Sequence, residues 1–73
     1  MERYYVNRNA QPTVRREHEV HRTNSACTHP AAPENQVDLG MHPNCRSALA
    51  AAEAKGYRPA DGCAYCVADC HST

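Results

Sequence analysis

A chain of 73 residues with no isoleucine, phenylalanine or tryptophan, and only Leu39 and Leu49 as leucines, cannot close around an ordinary apolar core. Five valines (Val6, Val14, Val20, Val37 and Val67) complete its aliphatic set. These residues make up under a tenth of the chain, against the roughly 20% below which a packed domain is unusual. The nominal hydrophobic fraction of 41% rests largely on 12 alanines, which bury little area each. Burying one valine or leucine contributes about 1.5–3 kcal/mol, whereas ordering the backbone costs about 1–2 kcal/mol per residue. A domain of this size retains little net stability from a single core. Disorder is the usual outcome of low hydrophobicity combined with high net charge, but the formal charge here is zero. The composition therefore predicts one small domain over residues 1–73 that needs a covalent or metal staple. Five cysteines and five histidines are the material for it.

Local patterns predict a modest set of elements. The aromatic and β-branched run in YYVNRN suggests a strand over about Tyr4–Arg8, and REHEVHR, alternating around Val20, suggests a second that pairs with it. Pro12 places AQPTVRR in a connecting loop, and TNSACTHPAAPEN, with Pro30 and Pro33, reads as another. QVDLG reads as a short third strand ending at Gly40. The strongest signal is PNCRSALAAAEAKG: Asn44 caps a helix over about 44–55, alanines extend it and Gly56 stops it. Cys45, Ala48, Leu49 and Ala52 fall on one face of that helix. DGCAYCVADC reads as a short helix or turn opened by Asp61. The expected fold class is α+β: a two- or three-stranded antiparallel sheet, one main helix and a short C-terminal helix or turn, stapled by metal, disulfide or both. With so little else to fill the interior, Tyr4, Tyr5, Tyr57 and Tyr65 are expected to serve as core.

Charge steers the partner only weakly. The first 22 residues carry five arginines and three acids, and Arg15-Arg16 reads as a solvated turn. A pI near 6.9 is not that of a dedicated nucleic-acid binder. A protein partner is expected ahead of nucleic acid, and no segment is apolar enough to span a membrane. MERYYV lacks the apolar stretch of an export signal, so a bacterial-type cytoplasmic setting with reduced thiols is expected. In that setting clustered cysteines in a small protein favour metal over disulfides.

The chemistry concentrates at the C-terminal end. Cys63 and Cys66 form a C-x-x-C pair, a spacing that lets two sulfurs hold one metal across a tight turn. Redox proteins share this spacing, but here no βαβ pattern flanks it. Two further ligands are needed, and His18, His21, Cys27, His29, His42, Cys45, Cys70 and His71 are the candidates. HEVH is not a zinc-protease signature, which needs its histidines four apart on a helix. On a strand His18 and His21 face opposite ways, so only one of them looks into any given site. His29 and His42 each precede a proline, which favours extended, exposed backbone.

VHRTNSAC, followed by CRSALAAAEAKGYRP and CAYC, resembles the metal-binding domain of the Ada type over about Val20–Cys66. The resemblance puts His21, Cys27, Cys63 and Cys66 on its four ligand positions and implies zinc. In the DNA-repair members of that group the first ligand is a cysteine that accepts a methyl group. His21 stands there in this chain, so the resemblance does not carry alkyl transfer with it. The segment between His21 and Cys27 is wider than in the group, and Ala60-Asp61-Gly62 separates Pro59 from Cys63 where the group has proline directly before cysteine. The chain also resembles a set of small bacterial proteins sharing YYVN, HEVH, GC-YC and a terminal CH.

With that ligand set, Cys45 and Cys70 are left over, either as a disulfide tying the tail to the helix or as buried thiols. Cys45, Cys70 and His71 also stand as alternative ligands. Four protein ligands close a zinc coordination sphere and make the metal structural. The functional expectation is a non-enzymatic, zinc-stabilised binding module. The alternative is a thiol/disulfide or metal-relay protein using Cys63 and Cys66 with Cys45 and Cys70.

Overall fold

A computed structural model describes residues 1–23 and 27–72. Four strands form one mixed sheet in the order β3-β1-β2-β4: β1 (Glu2–Asn7), β2 (His18–Arg22), β3 (Gln36–His42) and β4 (Ala60–Gly62). One helix, α1 (Cys45–Ala54), precedes β4, and 3-10 turns occupy Pro33–Asn35 and Ala68–Cys70. The chain is thus α+β with one main helix and a short C-terminal turn. No helix among the described residues is long and apolar enough to cross a membrane.

β1 is central because it can be buried on both sides. Tyr4, Tyr5 and Val6 are consecutive and all buried, which period-two alternation allows only if both faces of the strand are covered. β1 pairs antiparallel with β2 through Tyr4–Arg22, Tyr5–His21 and Val6–Val20. Directly opposed residues share a face, so Tyr4, Val6 and Val20 look one way and Tyr5 and His21 the other. The first face carries the small apolar core, where Tyr4, Val6, Val20, Leu39 and Val67 meet Cys45, Ala48 and Ala52 of α1. Alanines on that helix face let it lie close to the sheet.

The helix is built as its residues dictate. The Asn44 side chain accepts the Ser47 amide at 2.9 Å, capping the first turn. At the other end Gly56, at φ +99°, takes the left-handed conformation that glycine adopts at least cost. Its amide donates to Glu53 O at 3.0 Å and that of Tyr57 to Ala52 O at 3.1 Å, the paired bonds of a Schellman stop.

Three features depart from the sequence reading. β3 does not stop at Gly40 but runs to His42, pairing antiparallel with β1. Its register slips between Tyr4, which faces Gly40, and Tyr5, which faces Asp38. Leu39 is the extra residue at the slip and is buried in the core. Gly40, at φ +81°, makes the slip possible. The sheet also has four strands rather than two or three, and it is mixed rather than antiparallel. Asp61 and Gly62, expected to open a helix or turn, instead belong with Ala60 to an edge strand parallel to β2, with His18–Ala60, Glu19–Asp61 and Val20–Gly62 in register. Tertiary anchoring accounts for it: the Glu53 carboxylate accepts the Ala60 amide at 3.1 Å, and the His18 amide donates to Pro59 O at 2.8 Å. Asp61 consequently lies buried in a strand and opens no helix. Of the tyrosines, Tyr4 and Tyr5 are buried and Tyr57 half-buried, but Tyr65 is 63% exposed and so is not core. The part of the expected 23–35 loop at residues 24–26 lies outside the described residues.

Candidate metal centre

The sheet face opposite α1 carries buried Tyr5, and there the sulfur and imidazole groups gather. His21 reaches it from β2, beside its cross-strand neighbour Tyr5, whose ring stacks on the imidazole with centroids 4.9 Å apart. The Tyr5 hydroxyl accepts the Ala31 amide at 3.3 Å, tying down the chain that follows Cys27. Cys63 arrives directly after β4, its amide donating to Val20 O at 2.9 Å and so extending the β2–β4 register. A turn over residues 64–66 then returns Cys66 to the same place, closed by the Val67 amide on Cys63 O at 2.9 Å. Within that turn the Tyr65 amide donates to Cys63 Sγ at 3.4 Å. Cys27 completes the group from the loop after β2.

His21, Cys27, Cys63 and Cys66 each offer one donor atom, and all four atoms lie within 4.8 Å of one another. The separations are diagnostic. Cys27 Sγ is 3.6 Å from Cys63 Sγ. His21 Nδ1 is 3.7 Å from Cys27 Sγ and 3.5 Å from Cys66 Sγ. A tetrahedral ion with metal–sulfur bonds of about 2.3 Å and metal–nitrogen bonds of about 2.05 Å sets edges of about 3.8 Å between sulfurs and about 3.6 Å between sulfur and nitrogen. These three separations match edges of one tetrahedron, the remaining pairs lie within 4.8 Å, and the groups could hold a metal ion.

Protonation suits the same use. Burial holds the His21 imidazole below its ordinary pKa, leaving it neutral, the form that ligates. Its Nδ1 faces the sulfurs while Nε2 lies 3.6 Å from a Glu19 carboxylate oxygen. Glu19 stands two residues before His21 on β2, hence on the same face. A carboxylate behind the far nitrogen is the usual support of a ligating histidine. Burial, only partly offset by the Cys66 and Tyr65 amides, pushes the Cys63 thiol up to about 12. Without a cation Cys63 stays a thiol, which is the reverse of what a nucleophilic redox cysteine requires.

The other candidates go elsewhere. Cys45 and Cys70 form a disulfide, with Cα atoms 6.2 Å apart, joining the first residue of α1 to the C-terminal turn. His71 Nδ1 donates to Gly62 O at 2.9 Å and lies 3.3 Å from Asp61, so it supports β4 and is not among the four clustered groups. His18 Nδ1 donates to Asn7 O at 3.0 Å and its ring meets the edge of Tyr57. His42 bridges Ser47 Oγ and Leu39 O. His29 is exposed and stacks on Tyr65 at 4.1 Å, linking the Cys27 loop to the Cys63–Cys66 turn. Sequence reasoning missed Glu19 and Tyr5 at this centre. The signal for Glu19 was its two-residue offset from His21 on a strand; Tyr5 gave none until the strand register was known.

No protein-family model, curated protein or solved structure matches the chain.

Proposed function

We propose that His21, Cys27, Cys63 and Cys66 bind one zinc ion and that the protein is a non-enzymatic, zinc-stabilised binding module. One observation carries this reading: four donors from three separate chain segments lie within 4.8 Å of one another, three of their separations at the edge lengths of a zinc tetrahedron. Three thiolates and a neutral imidazole are the soft donor set that zinc favours over magnesium or calcium. With four protein donors the sphere is closed, which leaves no position for a reacting water and makes the ion structural. Zinc in such sites contributes an apparent 10–16 kcal/mol, or about that, to folding. That is a large contribution for a domain with so few aliphatic side chains. Binding removes the protons of the thiols, Cys63 included, so three S–H groups become thiolates of which zinc offsets two charges, leaving one. The likeness of the ligand order to Ada-type centres supports the same assignment. A formal charge of zero favours a protein partner over nucleic acid.

Native mass spectrometry of protein produced without added metal tests the reading, before and after a chelator and with circular dichroism recorded alongside. One bound zinc per chain is expected, with loss of structure when it is removed. A chain that stays metal-free in excess zinc, with unchanged dichroism, overturns it. Cys66→Ser is expected to lose the zinc, whereas His29→Ala keeps it.

A further inference from the structure

On the α1 side of the sheet lies a second group of donors. Cys45 and Cys70 are joined there, and Asp69 stands beside them, the three donor atoms lying within 4.8 Å of one another. Cys45 Sγ is 3.3 Å from Asp69 Oδ2, a sulfur–oxygen contact with no proton to share while the disulfide is intact. We infer that reducing this disulfide turns the staple into a second metal site, in which Cys45, Cys70 and Asp69 hold a soft divalent cation.

The site needs the tail to stay in place once the covalent bond is gone, and the tail is held by other means. Val67 is fully buried in the core. His71 donates to Gly62 O at 2.9 Å, and the Ser72 amide and hydroxyl both donate to Asp61 Oδ1, at 3.0 and 2.9 Å. Gly62 packs so closely that a Cβ there would come within 2.5 Å of Val67 O and 2.9 Å of the Cys70 carbonyl carbon. Cys45 is fixed independently as the buried first residue of α1. Reduction therefore frees two thiols whose backbone segments stay held, leaving the sulfurs to part by side-chain rotation.

The electrostatics also favour a cation. Two thiolates and a carboxylate carry three negative charges, and a divalent ion leaves one. Arg22, 3.3 Å from Asp69 Oδ1, and the positive end of α1 offset the remainder. Metal–sulfur and metal–oxygen bonds of zinc length put a sulfur–oxygen edge at about 3.5 Å, close to that already present. Access is open: a cavity of about 230 Å³ lined by Arg46, Leu49, Asp69, Cys70 and His71 adjoins the disulfide, and the Asp69 side chain is 62% exposed. Three protein donors leave a fourth coordination position open.

The step balances with a named reductant. A phosphine gives its electron pair to the S–S bond and leaves as its oxide with an oxygen from water, whose two protons end on the two thiols. A dithiol does the same by passing on two hydrogens and closing its own disulfide. The incoming cation then displaces both thiol protons. The inference does not depend on the centre formed by His21, Cys27, Cys63 and Cys66, because it concerns only the difference between two redox states of one chain.

Native mass spectrometry with cadmium as the probe, on the oxidised chain and on the chain reduced by a phosphine, tests it. The reduced chain is expected to carry one cadmium more than the oxidised chain, whatever the oxidised count. Cys45→Ser/Cys70→Ser is expected to show no such increment, and Asp69→Asn to weaken the added site by at least the roughly tenfold that a supporting ligand partner costs. Equal counts in the two redox states overturn the inference, as does an increment that survives in the double serine variant. Loss of far-ultraviolet dichroism on reduction overturns it as well, since the site requires the tail to remain docked. An oxidised chain that binds no cadmium counts against the first centre alone.

Discussion

Replacing the disulfide by Cys45→Ala/Cys70→Ala, in protein kept loaded with zinc, isolates what the covalent link contributes. The bond closes a loop of 25 residues that includes all of α1 and β4. In the chain-entropy description, a loop of that length removes about 11.7 cal/mol/K from the unfolded ensemble, or about 3.5 kcal/mol at 25 °C. The folded state loses little, because Val67, His71 and Ser72 hold the tail without it. The effect is therefore expected to lie in the unfolded state. Urea unfolding followed by circular dichroism should show a loss of about 3.5 kcal/mol with a raised m value, because the unlinked chain exposes more surface when it unfolds. For a domain of this size that corresponds to a fall in Tm of roughly 14–28 °C. A loss below about 1 kcal/mol, or one accompanied by an unchanged m value, would refute the loop-entropy reasoning.

Gly62→Ala drives a methyl group into the Val67 and Cys70 backbone, and the expected cost is about 1–3 kcal/mol in the same urea assay. Glu19→Gln removes the carboxylate behind His21 Nε2; zinc affinity, measured by competition with a chromophoric chelator, should fall about 10–100-fold while the fold persists. Burial raises the Tyr4 phenol above its ordinary 10.0, so its contribution to stability is complete below that pH and is lost as pH rises through the folded-state value. Urea midpoints measured up to strongly alkaline pH should thus decline less steeply in Tyr4→Phe than in the unaltered chain. An identical decline removes Tyr4 as a cause.

The helix was fully legible in the sequence because each of its signals is local: Asn44 to begin it, alanines to extend it, Gly56 to end it. β1 and β2 were legible from β-branched and aromatic runs, with ends displaced by a residue or two. β4 was not, since Ala60-Asp61-Gly62 has the composition of a turn and becomes a strand only through β2 and Glu53. The run of β3 past Gly40 was hidden for a related reason, because glycine signals an end unless a register slip can use its positive φ. At the centre, the Cys63–Cys66 spacing and the strand parity that separates His21 from His18 were readable, and the structure puts His21, Cys63 and Cys66 side by side. The state of Cys45 and Cys70 was not readable, because pairing depends on how α1 and the tail meet, 25 residues apart. Tyr65 misled because a short supply of apolar side chains suggested that every aromatic would be inside.

His21 and Cys66 meet across 45 positions of the chain, and Cys63 follows the last strand to join the sheet. During synthesis on the ribosome, a nascent chain that has not yet emerged as far as Cys66 holds an incomplete claw. On the zinc reading proposed above, ion capture would mark the end of assembly, and products cut short before residue 63 would be left with half the donors and without the edge strand's successor to seat them.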